Sequence, residues 1–328
     1  MSSRATTRSR GLFGFAVFTA SVAYLAVITG AIVTSEGAGV STSFGSFSLS
    51  HLLEWAKADG GHRITGTIVA ALTLALGAAV LFKEERRWVK WLGGVAVLAV
   101  IIQAALGSLG ASRHSEITLI VGHSCLAQIY FCIVVSLAIF THPKWRWASV
   151  KAVDTGKPAL QRMALAFNII VFVQIVLGAI YRDERQSQLG RLGHWGQLGG
   201  IHSVHIISVL PHIIGGGVVF VAALWLLVRV LKVTARDPGL IVLMVGLAIM
   251  VMVQVFLGAG VYMMMRFSQI APQPPEAIVI ATVMHVALGA LIFAGSVALT
   301  YMTYRYVARP GPGLNLAAGL PATAEPSR

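Results

Sequence analysis

Charge is scarce in this chain, with 12 acidic and 25 basic residues among 328, or 11% of the sequence against 56% hydrophobic. A soluble globular domain carries about 25% charged residues, so an ordinary aqueous surface is excluded and the chain belongs in a bilayer. Cysteine is scarcer still, at two residues. Cys125 and Cys132 are seven apart, share one face of a helix and are too far apart to bond each other, so they read as apolar packing. No Cys-x-x-Cys, His-Glu-x-x-His or paired carboxylate cluster occurs. A zinc hydrolase or an iron–sulfur protein would therefore have no ligands.

Long apolar runs fill the chain instead. Crossing roughly 30 Å of hydrocarbon takes about 20 apolar residues, and eight such runs lie near 12–34, 63–82, 91–110, 117–141, 163–181, 205–228, 240–265 and 278–304. The first follows a short Arg-rich stretch. It is longer than a signal-peptide core and has no convincing small-residue cleavage site, so it reads as a membrane helix. The tail from 306 onward is rich in Pro, Ala and Gly beyond Arg309 and is expected to be disordered.

A net charge of +13 could suggest nucleic acid, but its distribution argues otherwise. With the N-terminus inside, the inner segments hold Arg4, Arg8, Arg10, Lys83, Arg86, Arg87, Lys90, Lys144, Arg146, Lys151, Lys157, Arg162, Arg229, Lys232, Arg236, Arg305, Arg309 and Arg328, 18 of the 25 basic residues. The other seven accompany seven acids on the outer side. The positive-inside bias then places both termini in the cytoplasm, and no nucleic-acid partner is expected.

Similar segments recur along the chain, as in a duplicated fold. Gln103-Ala-Ala-Leu-Gly107 returns as Gln254-Val-Phe-Leu-Gly258 and as Gln174-Ile-Val-Leu-Gly178, and Thr29-Gly30-Ala31-Ile32 matches Leu177-Gly178-Ala179-Ile180. The expectation is an all-α membrane protein of eight transmembrane helices in two parallel four-helix repeats. Its segments are a cytoplasmic N-terminus 1–11, a first repeat 12–141, a basic linker 142–162, a second repeat 163–305 and a tail 306–328. The small residues suit close helix approach. The glutamines fit equally a hydrogen bond across helices or the wall of a cofactor pocket.

Four histidines follow the same duplication. His62 begins His-Arg-Ile-Thr-Gly and His212 begins His-Ile-Ile-Gly-Gly, both expected to open their helices. His123 and His285 lie inside theirs, roughly 10–13 Å below the rim at about 1.5 Å per residue, with Leu126 and Leu288, and Phe131 and Phe293, at identical offsets. A single histidine in a membrane helix is most simply a hydrogen-bonded core residue. Four in duplicated register point to axial ligation of haem iron by imidazole nitrogen, since ionisable groups are costly within a bilayer. His205, seven residues before His212, is the rival ligand in that helix, and the matches Ile64/Ile214 and Gly66/Gly216 favour His212. His51, His114, His194 and His202 read as rim or loop residues.

The halves differ in their polar groups. Arg63 follows His62 and Asp59 precedes it by three residues, whereas the second copy reads Ser-Val-Leu-Pro-His-Ile. Reaction chemistry is therefore expected in the first half. Asp59, or else Glu54, would orient a ligand or accept a proton, the alternative being a solvated loop acid. Arg63 would pair with a haem propionate.

The chain thus resembles the haem A synthase family of eight-span membrane oxidoreductases. The resemblance rests on Gly30-Ala31-Ile32-Val33-Thr34 with Gly37-Ala38-Gly39, on His62-Arg63, His123, His212 and His285, and on the Gln-x-x-Leu-Gly signatures, over about residues 11–305. It implies conversion of the haem O ring methyl to a formyl group by two successive hydroxylations and loss of water from the geminal diol. It implies a b-type haem on His212 and His285, with His62 and His123 facing haem O as substrate and Asp59, His62 and His123 working in catalysis. Where the family usually has Glu, this chain has Asp59, and residues 35–61 contain no counterpart of a common outer-loop cysteine pair. The implied setting is a bacterial or archaeal plasma membrane with the haem sites near the outer face. The implied partners are the haem O synthase that makes the substrate, an unidentified membrane electron acceptor and a second copy of the chain. A di-haem b-type cytochrome exchanging electrons with quinone, or a haem-binding assembly protein, would share the same histidines.

Overall fold

The computed structural model describes residues 2–36, 59–112, 117–146, 150, 152–192, 202–234, 238–267 and 276–310, with the backbone alone at 2–9, 36, 59, 111–112, 117, 146, 184–192, 202–208 and 266–267. Eight long helices dominate. They are α1 (Ser2–Glu36), α2 (Asp59–Lys83), α3 (Arg87–Ser112), α4 (Ile117–Thr141), α5 (Leu160–Leu192), α6 (His202–Val233), α7 (Pro238–Phe267) and α8 (Glu276–Tyr306). Each contains a stretch long and apolar enough to cross a bilayer, and all eight fall where apolar runs were expected. The chain is an all-α membrane protein.

Large apolar side chains cover the outside. Phe18 (56%), Trp91 (77%), Val221 (65%) and Phe256 (71%) are open to the surroundings, a coat that would aggregate in water and that lipid tails solvate. Inward-facing hydroxyls are satisfied within their own helices. Thr65, Ser136 and Thr141 each donate to the carbonyl four residues back, since no water is present to serve them.

Each set of four helices closes on itself. α1 packs on α2, α2 on α3, α3 on α4 and α4 on α1, and α5 to α8 follow the same order. The two rings meet through α1, α4, α5 and α8, and of these α4 and α8 are the most enclosed spans. Corresponding contacts recur: Tyr24 packs on Phe131 in the first ring and Phe172 on Phe293 in the second. Across the seam, Tyr24 Oη donates to the Ala287 carbonyl at 3.2 Å and Ser136 Oγ lies 3.1 Å from Tyr301 Oη.

The basic end is held by two carboxylates. Glu84 accepts from the Arg86 guanidinium, which also reaches the Phe140 carbonyl and ties the α2–α3 turn to α4. Burial alone would raise the Glu84 carboxyl, but the Arg86 hydrogen bonds and charge outweigh it and lower it to about 2. Asp154 accepts from the Leu160 backbone N–H at the start of α5 and from Arg229 of α6. Between these clamps, Pro143–Arg146 makes one helical turn, and Ala152–Val153 pairs in parallel with Val307–Ala308. That pairing corrects the expectation of disorder from residue 306, because Val307 is buried and its carbonyl accepts from Gln161. Residues 311–328 lie outside the described residues.

Candidate functional site

Two histidine pairs form at the end of the bundle opposite the basic loops. In each ring the paired helices, α2 with α4 and α6 with α8, run in the same direction and stand at opposite corners. Their histidines meet across the interior. The ring centroids of His62 and His123 are 6.2 Å apart with an interplanar angle of 82°, and those of His212 and His285 are 6.1 Å apart at 73°.

Each pair therefore lies at one level, which corrects the expectation that His62 and His212 sit at the rim and their partners a further 10–13 Å down. The helices start at unequal heights. His212 does not open its helix, because α6 begins at His202 and continues through Pro211, whereas His62 is the fourth residue of α2. The His205 side chain lies outside the described residues, so the rivalry rests on His212 being the residue opposite His285.

Each imidazole leans on a glycine of the preceding helix. A Cβ at Gly30 would lie 2.9 Å from His62 Cε1, at Gly107 3.0 Å from His123 Cε1, at Gly178 2.7 Å from His212 Cε1 and at Gly258 3.0 Å from His285 Cε1. Any larger residue would displace the ring. Three of the four glycines stand four residues after a glutamine, one turn along the same face. Gln103 Nε2 donates to the His123 carbonyl at 3.0 Å, Gln174 Nε2 to the His212 carbonyl at 2.7 Å and Gln254 Nε2 to the His285 carbonyl at 2.9 Å. The glutamines thus bond across helices to the histidine backbones. In the first span Ala26 takes the glutamine position, and Thr29 Oγ1 lies 3.1 Å from His62 Nδ1 instead.

These contacts decide which ring nitrogen is available. His123 Nδ1–H donates to the Gln103 carbonyl at 3.1 Å, so its lone pair is on Nε2. Gln174 Nε2 stands 3.0 Å from His212 Nδ1. A ligating histidine usually donates its second ring N–H to an acceptor, as His123 does; the Gln174 amide, a donor, instead gives a hydrogen bond to His212 Nδ1. His285 Nδ1 is buried without a hydrogen-bond partner.

The spacing fits one metal ion between each pair. A metal–imidazole bond of about 2.0–2.1 Å on each side, with roughly 1.1 Å from each nitrogen to its ring centre, separates the centroids of two opposed ligands by about 6.2–6.4 Å. Twisted planes are compatible, because each ring can rotate about the metal–nitrogen axis. Small residues stand one turn beyond every ligand on the same helix face: Gly66, Ala127, Gly216 and Gly289. A Cβ at Gly66 would meet nothing within 4 Å. A Cβ at Gly216 or Gly289 would meet the amide nitrogen of Gln174 or Gln254 at 3.5 and 3.3 Å. Two opposed imidazoles suit axial ligation of a flat macrocycle. Among the described residues no three His, Cys, Asp or Glu side chains converge as a closed metal cage would require.

The other expected residues are placed less completely. Asp59 is the first residue of α2, one turn before His62, with its side chain outside the described residues, as is the whole of Glu54. Arg63 is exposed beside His62. A polar bridge that composition did not single out joins the rings next to His123: Arg182 of α5 donates to Ser124 Oγ at 3.1 Å and contacts Asp183 at 3.4 Å. Asp183 is buried (4% exposed) with Oδ2 unpartnered. Its visible signal was an Arg-Asp pair closing an apolar run.

The chain matches no protein-family model and no curated protein sequence.

Proposed function

We propose that the chain is a haem-handling membrane oxidoreductase of the kind it resembles, a haem A synthase that converts the haem O ring methyl to a formyl group. The observation that carries this reading is the pair of matched histidine couples, 6.2 and 6.1 Å apart, of which only the first is accompanied by an acid and a base, Asp59 and Arg63. The two rings are read as parallel copies of one four-helix unit, and the charge bias sets the histidine end on the outer face with both termini inside.

In this assignment His212 and His285 hold a b-type haem, which when bound supplies one-electron transfer. Gln174 and Gln254 fix the backbones of those two ligands, and Gly178 and Gly258 set how far each ring can retreat. His62 and His123 hold the substrate haem O, with His123 oriented by the Gln103 carbonyl. Arg63 pairs with a propionate at the rim. Each hydroxylation takes one water oxygen into the ring methyl, gives two electrons to the membrane electron acceptor and releases two protons, the first of which Asp59, one turn from His62, accepts. Loss of water from the geminal diol then leaves the aldehyde.

A second reading is favoured by the near-identity of the two pairs. Equal separations and equal glycine supports suit a di-haem cytochrome that passes electrons and modifies nothing. Extracted pigments separate the two. Expression beside a haem O producer should yield haem A or its hydroxymethyl intermediate, and recovery of only haem B and unchanged haem O from folded protein would refute the synthase.

A further inference from the structure

At the end opposite the histidine pairs, a cleft of about 550 Å³ opens along the seam where α1, α4 and α8 meet. Its walls are apolar, including Phe13, Val17, Phe131 and Leu291, and among the described residues no acidic side chain lines it. Along α4 the lining runs from Phe131 to His142, about 16 Å of helix rise. That length matches one leaflet of a hydrocarbon core roughly 30 Å thick.

Its polar end is basic and built from donors. Lys144 is exposed there, and its backbone N–H donates to His142 Nδ1 at 3.1 Å, which puts the imidazole proton on Nε2. The His142 ring stands edge-on to Phe13, with centroids 4.7 Å apart at 87°, fixing it at the mouth. We propose that this cleft binds one anionic phospholipid of the leaflet on the basic side, an acyl chain lying along the seam and the phosphate held by Lys144 Nζ and His142 Nε2. Basic pockets between transmembrane helices on that side take anionic headgroups. A quinone is a poorer occupant, because a redox head at the polar end would sit 19 residues from His123 along α4, about 28 Å of rise. The exclusion of a quinone rests on the haem reading; the fit of an anionic phospholipid to the cleft does not.

The test uses the full chain reconstituted in vesicles of phosphatidylcholine and phosphatidylglycerol at four to one, then extracted gently for native mass spectrometry. One phospholipid per protein should remain, with the ratio of phosphatidylglycerol to phosphatidylcholine raised roughly fivefold over that of the vesicle, as one surface lysine supports. Lys144→Glu should abolish the enrichment. Ser21→Trp, which fills the cleft from its exposed wall, should remove the retained lipid, with unchanged helix content verifying the fold of both variants. Equal retention of the two lipids, unaltered retention in either variant, or an isoprenoid quinone in place of the phospholipid would overturn the proposal.

Discussion

Replacing Gly178 with alanine tests the ligand assignment by moving one ring while keeping every ligand. The new Cβ would lie 2.7 Å from His212 Cε1, whereas carbon atoms in ordinary contact are about 3.5–4.0 Å apart. The ring must therefore retreat by roughly 1 Å, or α5 must shift. The ring is not free to follow, since Gln174 Nε2 holds its Nδ1 at 3.0 Å and the His212 carbonyl at 2.7 Å. A coordinate bond of about 2 Å cannot absorb such a displacement, and disturbing the groups that orient a ligand typically weakens metal binding by about 10–100-fold. Gly217→Ala is the matched control on α6, because a Cβ there meets nothing within 4 Å. Both changes remove a helical glycine, which by itself favours the helix by about 0.5–1 kcal/mol. The assay is the haem-to-protein ratio and the reduced-minus-oxidised spectrum of purified protein. Gly178→Ala should lose low-spin b-haem signal and haem content, and Gly217→Ala should retain both. Equal spectra in the two variants would refute the placement of His212 as a ligand.

His212→Ala and His285→Ala should each abolish the low-spin b-haem spectrum, and its persistence in both would remove the second-ring site. Asp59→Asn should cut haem A formation while leaving the b-haem spectrum intact, and full product yield would take Asp59 out of the chemistry. Glu84 gives a pH prediction. Its carboxyl falls from 4.5 to about 2 in the folded protein, so the stabilisation is complete above pH 4.5 and disappears as pH falls toward 2. The thermal midpoint of detergent-solubilised protein should drop across that window, and Glu84→Gln should show a shallower drop; identical slopes would contradict the clamp.

Much of the architecture was legible because a bilayer leaves few choices. A run of about 20 apolar residues becomes a spanning helix whatever surrounds it, and all eight appear where the runs lie. Histidines inside such runs stand out for the same reason. Other features were not legible at sequence level. The Gln-x-x-x-Gly spacing fits helix packing as well as ligand support, and only the facing helix shows that Gln103, Gln174 and Gln254 reach histidine carbonyls. The depth of His212 is not legible either, because α6 begins ten residues earlier and continues through Pro211. Nor is the burial of Asp183 legible, because it is created in the seam between the rings, by residues far away in sequence.

The four histidines carried both kinds of information. Sequence alone determined that they exist in duplicated register within apolar helices, since composition and spacing are local properties of the chain. Only the tertiary structure decided that His62 meets His123 and His212 meets His285, each at about 6 Å. Those meetings depend on α2 and α6 standing diagonally across their rings from α4 and α8, and on glycines that let each imidazole rest against a neighbouring backbone. No local pattern specifies a diagonal: it arises from the order in which four helices close, and so from contacts between residues distant in the chain.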